Sequence, residues 1–334
     1  MRVVVVGTGA LGGEVVRRLG TAGVGEVLLV DPDVVEEKNV RMSPWFQAQA
    51  GRSKVEVVAE AARRAWPDTR WSTLDLEIAD AGFGRLEKAE VLFGCVDSEL
   101  ARLEMAYIGT KLDLPVCDGG LGPGRGGVSW FPGREAACYG CRLTAARRRE
   151  LLTTWDSPVY PCWPPGETPE RASTAAVAAC VAAAQVEIGL RAAPPGEAEA
   201  FEVAPAAKRE RIGIPRSEAC PFHRPEVHLV EAPGERIGEM LAGAAERGEG
   251  EPVLVLDWPV AVAAECLDCG GVFRPMRRVG WLRRRGVCPA CGSRRVRDVE
   301  TLTRIGRDSV WTGSTFRELG LPEQHLHTVR FEGP

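Results

Sequence analysis

The chain has 334 residues, 45% hydrophobic and 26% charged, enough for one large α/β domain plus a smaller module. A net charge of −4 singles out no partner, and no apolar run reaches the roughly 18 residues that a membrane span needs. After Met1-Arg2 a four-valine run begins without any signal-peptide pattern, so a cytoplasmic protein is expected. In that compartment eleven cysteines point to metal or thiol chemistry rather than disulfides.

Residues 1–130 alternate apolar runs with helical stretches, which predicts a doubly wound, Rossmann-like parallel sheet. Strands are expected at 3–6, 26–30, 71–76, 91–94, 115–117 and 128–131. Helices are expected at 10–19, 54–65 and 99–110, where apolar residues recur at helical spacing. Residues 145–171 hold an arginine run and then a cluster of prolines, which predicts a loop. An alanine-rich helix follows at 172–192, and a second proline- and alanine-rich stretch, 193–217, reads as a loop or linker. From about 226 the composition shifts, so two domains are expected, 1–225 and 226–334. Residues 266–297 carry four cysteines and nine arginines against one acidic residue, the mark of a separate small module. Beyond it, Thr301-Leu302 and residues 316–322 predict a short sheet that ends in a surface tail.

The opening Val3-Val4-Val5-Val6-Gly7-Thr8-Gly9-Ala10-Leu11-Gly12 is a strand, a GxGxxG turn and a helix start. Gly7, Gly9 and Gly12 let the backbone turn sharply and allow a nucleotide to approach within contact distance. The second strand ends in Asp31, whose carboxylate can accept hydrogen bonds from ribose hydroxyls. These features alone also fit an NAD(P)-dependent oxidoreductase, and that reading stays open on them.

The residues that follow are more specific. Asp31-Pro32-Asp33 leads to Asn39-Val40, Gly51-Arg52-Ser53-Lys54 opens a helix, and Cys95-Val96-Asp97-Ser98 precedes Arg102. Pro115-Val116-Cys117-Asp118-Gly119-Gly120 comes next. In this order and spacing the set resembles the ThiF/MoeB family of ubiquitin-like-protein activators, and the likeness extends over residues 1–223. The resemblance implies ATP-dependent adenylation of the C-terminal carboxylate of a ubiquitin-like or sulfur-carrier protein, commonly by a homodimer. By family position Lys54 would contact phosphate and Asp97 would hold Mg²⁺, with Ser98 beside it. Asp31 would bind ribose, and Asp33 and Asn39 would line the site. The chemistry asks for such groups, because attack on the α-phosphate of ATP needs charge neutralisation on the phosphates. Taken one at a time, Lys54 reads more readily as a solvated charge, and Asp97 and Arg102 fit a helix cap and a surface charge. The family pattern N-L-x-R-Q is replaced by Asn39-Val40-Arg41-Met42-Ser43, so Arg41 or another cation must complete the phosphate clamp. Met42 keeps one further reading open, a non-catalytic zinc-binding scaffold with a degenerate nucleotide site.

The cysteines divide into groups. Cys138-x2-Cys141 and Cys220-x2-His223 together offer three thiolates and an imidazole, a sound tetrahedral Zn²⁺ set, and in the family two such knuckles meet in space. Cys266-x2-Cys269 and Cys288-x2-Cys291, eighteen residues apart, read as a structural zinc ribbon on spacing alone. The ribbon's arginines read as a solvated or acidic-partner docking face, for the carrier or a downstream conjugating enzyme, rather than as a nucleic-acid surface. Cys95, Cys117 and Cys180 read as buried small residues. Cys162 sits in the proline-rich segment that the resemblance equates with the crossover loop, where many family members carry a thioester-forming thiol. Arg147, Arg148 and Arg149 are placed to favour its thiolate.

Overall fold

A computed structural model describes residues 1–40, 44–122, 125–153, 174–191, 196–203, 211–223, 227–230, 234–322 and 325–332. These fall into two compact units. The first holds Met1–Ala81, Leu86–Arg149 and the described residues of 160–223; the second holds Gly82–Arg85, 150–153 and the described residues from 227 onward.

In the first unit β1 (Arg2–Val6), β2 (Glu26–Val30), β3 (Arg70–Leu74), β4 (Val91–Gly94) and β5 (Val116–Gly122) pair in parallel. Their spatial order is β3-β2-β1-β4-β5, the doubly wound arrangement. The crossover helices are α1 (Ala10–Thr21), one turn α2 (Glu37–Val40), α3 (Lys54–Ala65) and α4 (Glu99–Leu112). Antiparallel β6 (Arg125–Phe131) extends the sheet beyond β5. Val3, Val5, Val27 and Leu29 share one buried face with Leu11, Val15 and Leu19 of α1 and Val55 and Val58 of α3. Successive strand residues point to opposite faces, so the neighbouring Val4 and Leu28 are buried on the other side.

Three stretches differ from expectation. Within the predicted 145–171 loop, Ala145–Thr153 forms helix α6, preceded by the turn α5 (Tyr139–Arg142). Thr144 caps it: the Arg147 amide donates to Thr144 Oγ1 at 3.1 Å, and the first proline comes only at position 158. Within the predicted 193–217 linker, β7 (Glu199–Val203) and β8 (Arg211–Gly213) add two antiparallel strands to the sheet edge. β7 brings Val203 and Phe201 to the core, whereas β8, the edge strand, is exposed throughout. The alanine-rich helix is α7 (Thr174–Gly189), which packs against α1 and against β5 and β6.

The second unit is built on a six-stranded sheet around β10 (Glu251–Cys266). β13 (Val296–Ile305) runs along one side of β10. β14 (Leu326–Glu332), β12 (Arg277–Arg278) and β11 (Val272–Phe273) share the other side, and β9 (Val227–Val230) pairs outside β14. The expected surface tail is therefore a strand paired on both sides, with Val329 fully buried. Helix α8 (Ile237–Ala245) covers the core with Met240 and Leu241 against Leu254, Val260 and Phe316. Helix α9 (Val279–Arg285) covers a smaller core of Leu282, Val296, Cys266 and Cys288. Among the described residues no helix is long and apolar enough to cross a membrane.

Candidate nucleotide site and two metal-ligand clusters

The glycine turn joins β1 to α1 where β1, β2 and β4 end. Gly7 has φ +87°, and a Cβ on it would lie 2.6 Å from Cys95 O. A Cβ on Gly12 would lie 1.9 Å from Gly7 O, so both positions demand glycine for packing. Gly9 is different: nothing lies within 4 Å of where its Cβ would be, so the turn is open on that side.

Asp31 is buried and fixes the turn. Its Oδ2 accepts from Thr8 N at 2.6 Å and Thr8 Oγ1 at 2.9 Å, and its Oδ1 accepts from Asp33 N at 2.9 Å. Burial raises its carboxyl above the ordinary range, against the pull of Lys54 and the amides of Thr8 and Asp33. Lys54, the first residue of α3, reaches Asp33 Oδ2 at 3.0 Å. Asn39 Oδ1 accepts from Glu36 N at 3.0 Å and so caps α2. Lys38 on the same turn pairs with Glu36 at 2.6 Å and lies in the field of Asp33 and Asp97. Asp97 is exposed at the end of β4. Ser98, not Asp97, caps α4, its Oγ accepting from Ala101 N at 3.1 Å.

Arg102 is not a surface charge. Its guanidinium pairs with buried Asp118 and donates to Val96 O at 3.0 Å and Gly119 O at 3.1 Å, spanning the turn that carries Asp97. Burial pushes the Asp118 carboxyl up, opposed by Arg102 and Arg142. Gln185 of α7 crosses the same strand ends, donating to Gly94 O and Cys117 O at 3.0 Å each. Cys95 and Cys117 have thiols raised by burial, with Asp118 adding to the effect, as expected of inert packing residues.

In the first unit Cys138, Cys141, Cys220 and His223 place their ligand atoms within 4.8 Å of one another. Cys138 Sγ is 3.7 Å from Cys220 Sγ and 3.9 Å from Cys141 Sγ, and Cys141 Sγ is 3.3 Å from His223 Nε2. Thiolates bound tetrahedrally at about 2.3 Å from zinc stand roughly 3.7–3.8 Å apart, so the donors fit the ion. His223 Nδ1 lies 3.0 Å from Arg134 O, and donation there leaves Nε2 as the metal-facing nitrogen.

The second cluster, Cys266, Cys269, Cys288 and Cys291, is equally compact, with cross-knuckle sulfur separations of 3.6 and 3.7 Å. Each knuckle closes on a glycine at positive φ: Gly270 at +69° donates to Cys266 O, and Gly292 at +73° donates to Cys288 O. Four sulfurs of this kind suit a structural zinc and leave no open position for a substrate.

Residues 1–199 match the model of the ThiF family. This chain belongs to the ThiF family. Over 144 residues it is 31% identical to adenylyltransferase and sulfurtransferase UBA4 of Eremothecium gossypii, covering 42% of this chain and 32% of that protein. Over 154 residues it is 28% identical to ubiquitin-like modifier-activating enzyme 5 of Xenopus laevis, covering 42% and 39%. The match thus spans less than half the length of these relatives. A crystal structure of E. coli MccB with ATP shares the fold, with a TM-score of 0.50 and 20% identity, covering 67% of this chain and 66% of that one.

In this ThiF-family chain the strand ends bring Gly7, Gly9, Gly12, Asp31, Asp33, Asn39, Lys54, Asp97 and Ser98 to one end of the sheet. Arg41 and Cys162 lie outside the described residues. Two residues of the arginine run have partners within the described residues. Arg147 pairs with Glu99, and Arg148 is buried with its guanidinium on the carbonyls of Gly140, Leu143 and Ala219. Thr8, Asp118 and Gln185 were missed as supporting residues. A signal existed for Gln185, the one amide in a helix whose other residues are small or apolar apart from Glu187.

Proposed function

We propose that this chain uses ATP to adenylate the C-terminal carboxylate of a ubiquitin-like or sulfur-carrier protein. The observation that carries the reading is the family match over residues 1–199, which includes every residue of the glycine turn and of the Asp31, Lys54 and Asp97 constellation. The names of the two curated relatives, an adenylyltransferase and a modifier-activating enzyme, support it.

In this reading the glycine turn and the start of α1 receive the triphosphate, with Gly9 leaving room for it. Asp31 holds the turn and meets the ribose, and Asp33 and Asn39 line the cleft. Lys54 neutralises phosphate charge as a carboxylate oxygen attacks the α-phosphorus and pyrophosphate leaves. Asp97 would hold Mg²⁺, whose charge offsets that of the phosphates and leaving group. Arg41 or Lys38 supplies the cation that Met42 does not. Cys162 then attacks the acyl carbon of the adenylate; the new C–S bond replaces the C–O bond to AMP, which departs.

The Cys3His cluster and the ribbon serve as structural zinc sites, and their thiolates suit the reducing cytoplasm. The basic ribbon docks the carrier or a conjugating enzyme, and the active species is a homodimer.

ATP–pyrophosphate exchange, run with and without carriers encoded by neighbouring genes, tests the reading. Carrier-dependent exchange supports it. Absence of exchange, together with tight NAD(H) binding, returns the chain to the oxidoreductase reading. A thioester adduct that survives on non-reducing gels with wild type and is lost with Cys162→Ala assigns the transfer step.

A further inference from the structure

Helix α4 stands between the Cys3His cluster and the turn that carries Asp97. Near its far end Tyr107 meets Phe222 edge-on, with ring centroids 5.4 Å apart, and Phe222 lies between the ligands Cys220 and His223. The same Phe222 ring would touch a Cβ on Gly140, within the Cys138–Cys141 knuckle, at 3.2 Å. At its near end α4 begins with Glu99, directly after Ser98 and Asp97. Two successive arginines of α6 join these ends. Arg148, 5% exposed, donates to Gly140 O at 2.8 Å, Leu143 O at 2.7 Å and Ala219 O at 3.4 Å, so it binds the backbone of both knuckles. Arg147 donates through Nε to Glu99 Oε2 at 3.1 Å and also through Nη2. Adjacent helical residues point about 100° apart, so α6 can grip the cluster with one side chain and α4 with the next.

We infer that α6 is a rigid strut through which zinc loading of the Cys3His cluster sets the start of α4, with Arg147 as the positioning residue for the Asp97 turn. The metal then governs the nucleotide site without touching it. This rests on the proposed adenylation for its catalytic consequence, but the mechanical coupling stands independently of it.

The amides of Ala101 and Arg102 report on the helix start, because they bond to Ser98 Oγ and Ser98 O. Hydrogen exchange of the full chain, read at these two amides, is the primary test. Stripping zinc with a chelator is expected to speed their exchange, and so is Arg147→Ala in protein that retains its full zinc content. A partly exposed pair of this kind gives roughly two- to fivefold faster exchange when lost. Arg147→Lys is expected to recover part of the protection, and the charge exchange of Glu99→Arg with Arg147→Glu most of it. In the ATP–pyrophosphate assay, Arg147→Ala is expected to raise the Mg·ATP concentration for half-maximal rate by a similar factor, with the smaller effect on kcat. Zinc-replete Arg147→Ala with wild-type exchange at Ala101 and Arg102 overturns the inference, even if its melting temperature falls. If wild type shows no nucleotide exchange activity at all, the adenylation reading fails while the amide test still decides the coupling.

Discussion

Lys54 Nζ sits 3.0 Å from Asp33 Oδ2, and the Lys54 amide donates to Asp33 O at 2.9 Å. The first residue of α3 is thus tied twice to the end of β2, which fixes where its ammonium can go. With the Asp33 side chain 54% exposed, the ion pair itself contributes no more than about 1 kcal/mol. A phosphate can therefore take over the ammonium at small cost. Lys54→Met is expected to lower ATP–pyrophosphate exchange by roughly 10²- to 10³-fold, the usual loss of a preorganised charge at a reacting centre. Its thermal melt should stay within about 1 kcal/mol of wild type. Full exchange activity in a folded Lys54→Met protein removes the lysine from the chemistry.

The glycines of the turn separate packing from ligand binding. Gly12→Ala puts a methyl 1.9 Å from Gly7 O, and neither backbone can move without disturbing β1 and Cys95. Overpacking of this kind costs about 1–3 kcal/mol, visible as a lowered melting temperature. Gly9→Ala meets nothing within 4 Å. Its stability is expected to stay within about 1 kcal/mol of wild type. Its ATP affinity, followed by isothermal titration, is expected to fall, because the methyl fills the opening over the turn. Equal ATP affinity in Gly9→Ala and wild type places the triphosphate elsewhere.

The first unit was legible because β1, β2 and β4 are short, continuous apolar runs, and α1, α3 and α4 follow them in the chain. The metal clusters were legible because thiolate spacing is a local property: two residues between ligands are enough for a knuckle to close. What sequence concealed was held by long-range partners. Arg147 and Arg148 read as charges in a loop because nothing local shows Glu99, 48 residues earlier, or Ala219, 71 residues later. β7 is stabilised by pairing with β6, and β8 by pairing with β7, so their own residues need no strong alternation. Asp31 was read for ribose; in the structure its oxygens hold Thr8 and Asp33, a role that no spacing reveals.

The two clusters predict two zinc ions per chain, measured by plasma emission on protein purified without chelator. Cys141→Ser and Cys269→Ser should each lose one. Their consequences should differ, because Cys141 belongs to the first unit and Cys269 to the second. Structural zinc contributes directly to folding free energy, so Cys141→Ser is expected to lower the melting temperature and nucleotide affinity together. Cys269→Ser is expected to leave ATP binding intact while exposing the ribbon to proteolysis between residues 266 and 297. A single zinc in wild type, or none, removes one or both sites.

Arg102 and Asp118 allow stability and positioning to be measured apart. Asp118 is 3% exposed and Arg102 12%, so removing one partner strands a charge in the interior. Asp118→Asn keeps the shape and removes only the charge, and is expected to cost roughly 3–5 kcal/mol, read by denaturant titration. Replacing both with apolar residues, as in Arg102→Met with Asp118→Leu, removes the stranded charge and should recover most of that loss. The double variant still lacks the guanidinium that ties Val96 O, next to Asp97, to Gly119 O of β5. Its stability is therefore expected near wild type while the Mg·ATP concentration needed for half-maximal exchange stays raised. If exchange recovers together with stability, Arg102 contributes only to folding, and the Asp97 turn needs no help from it.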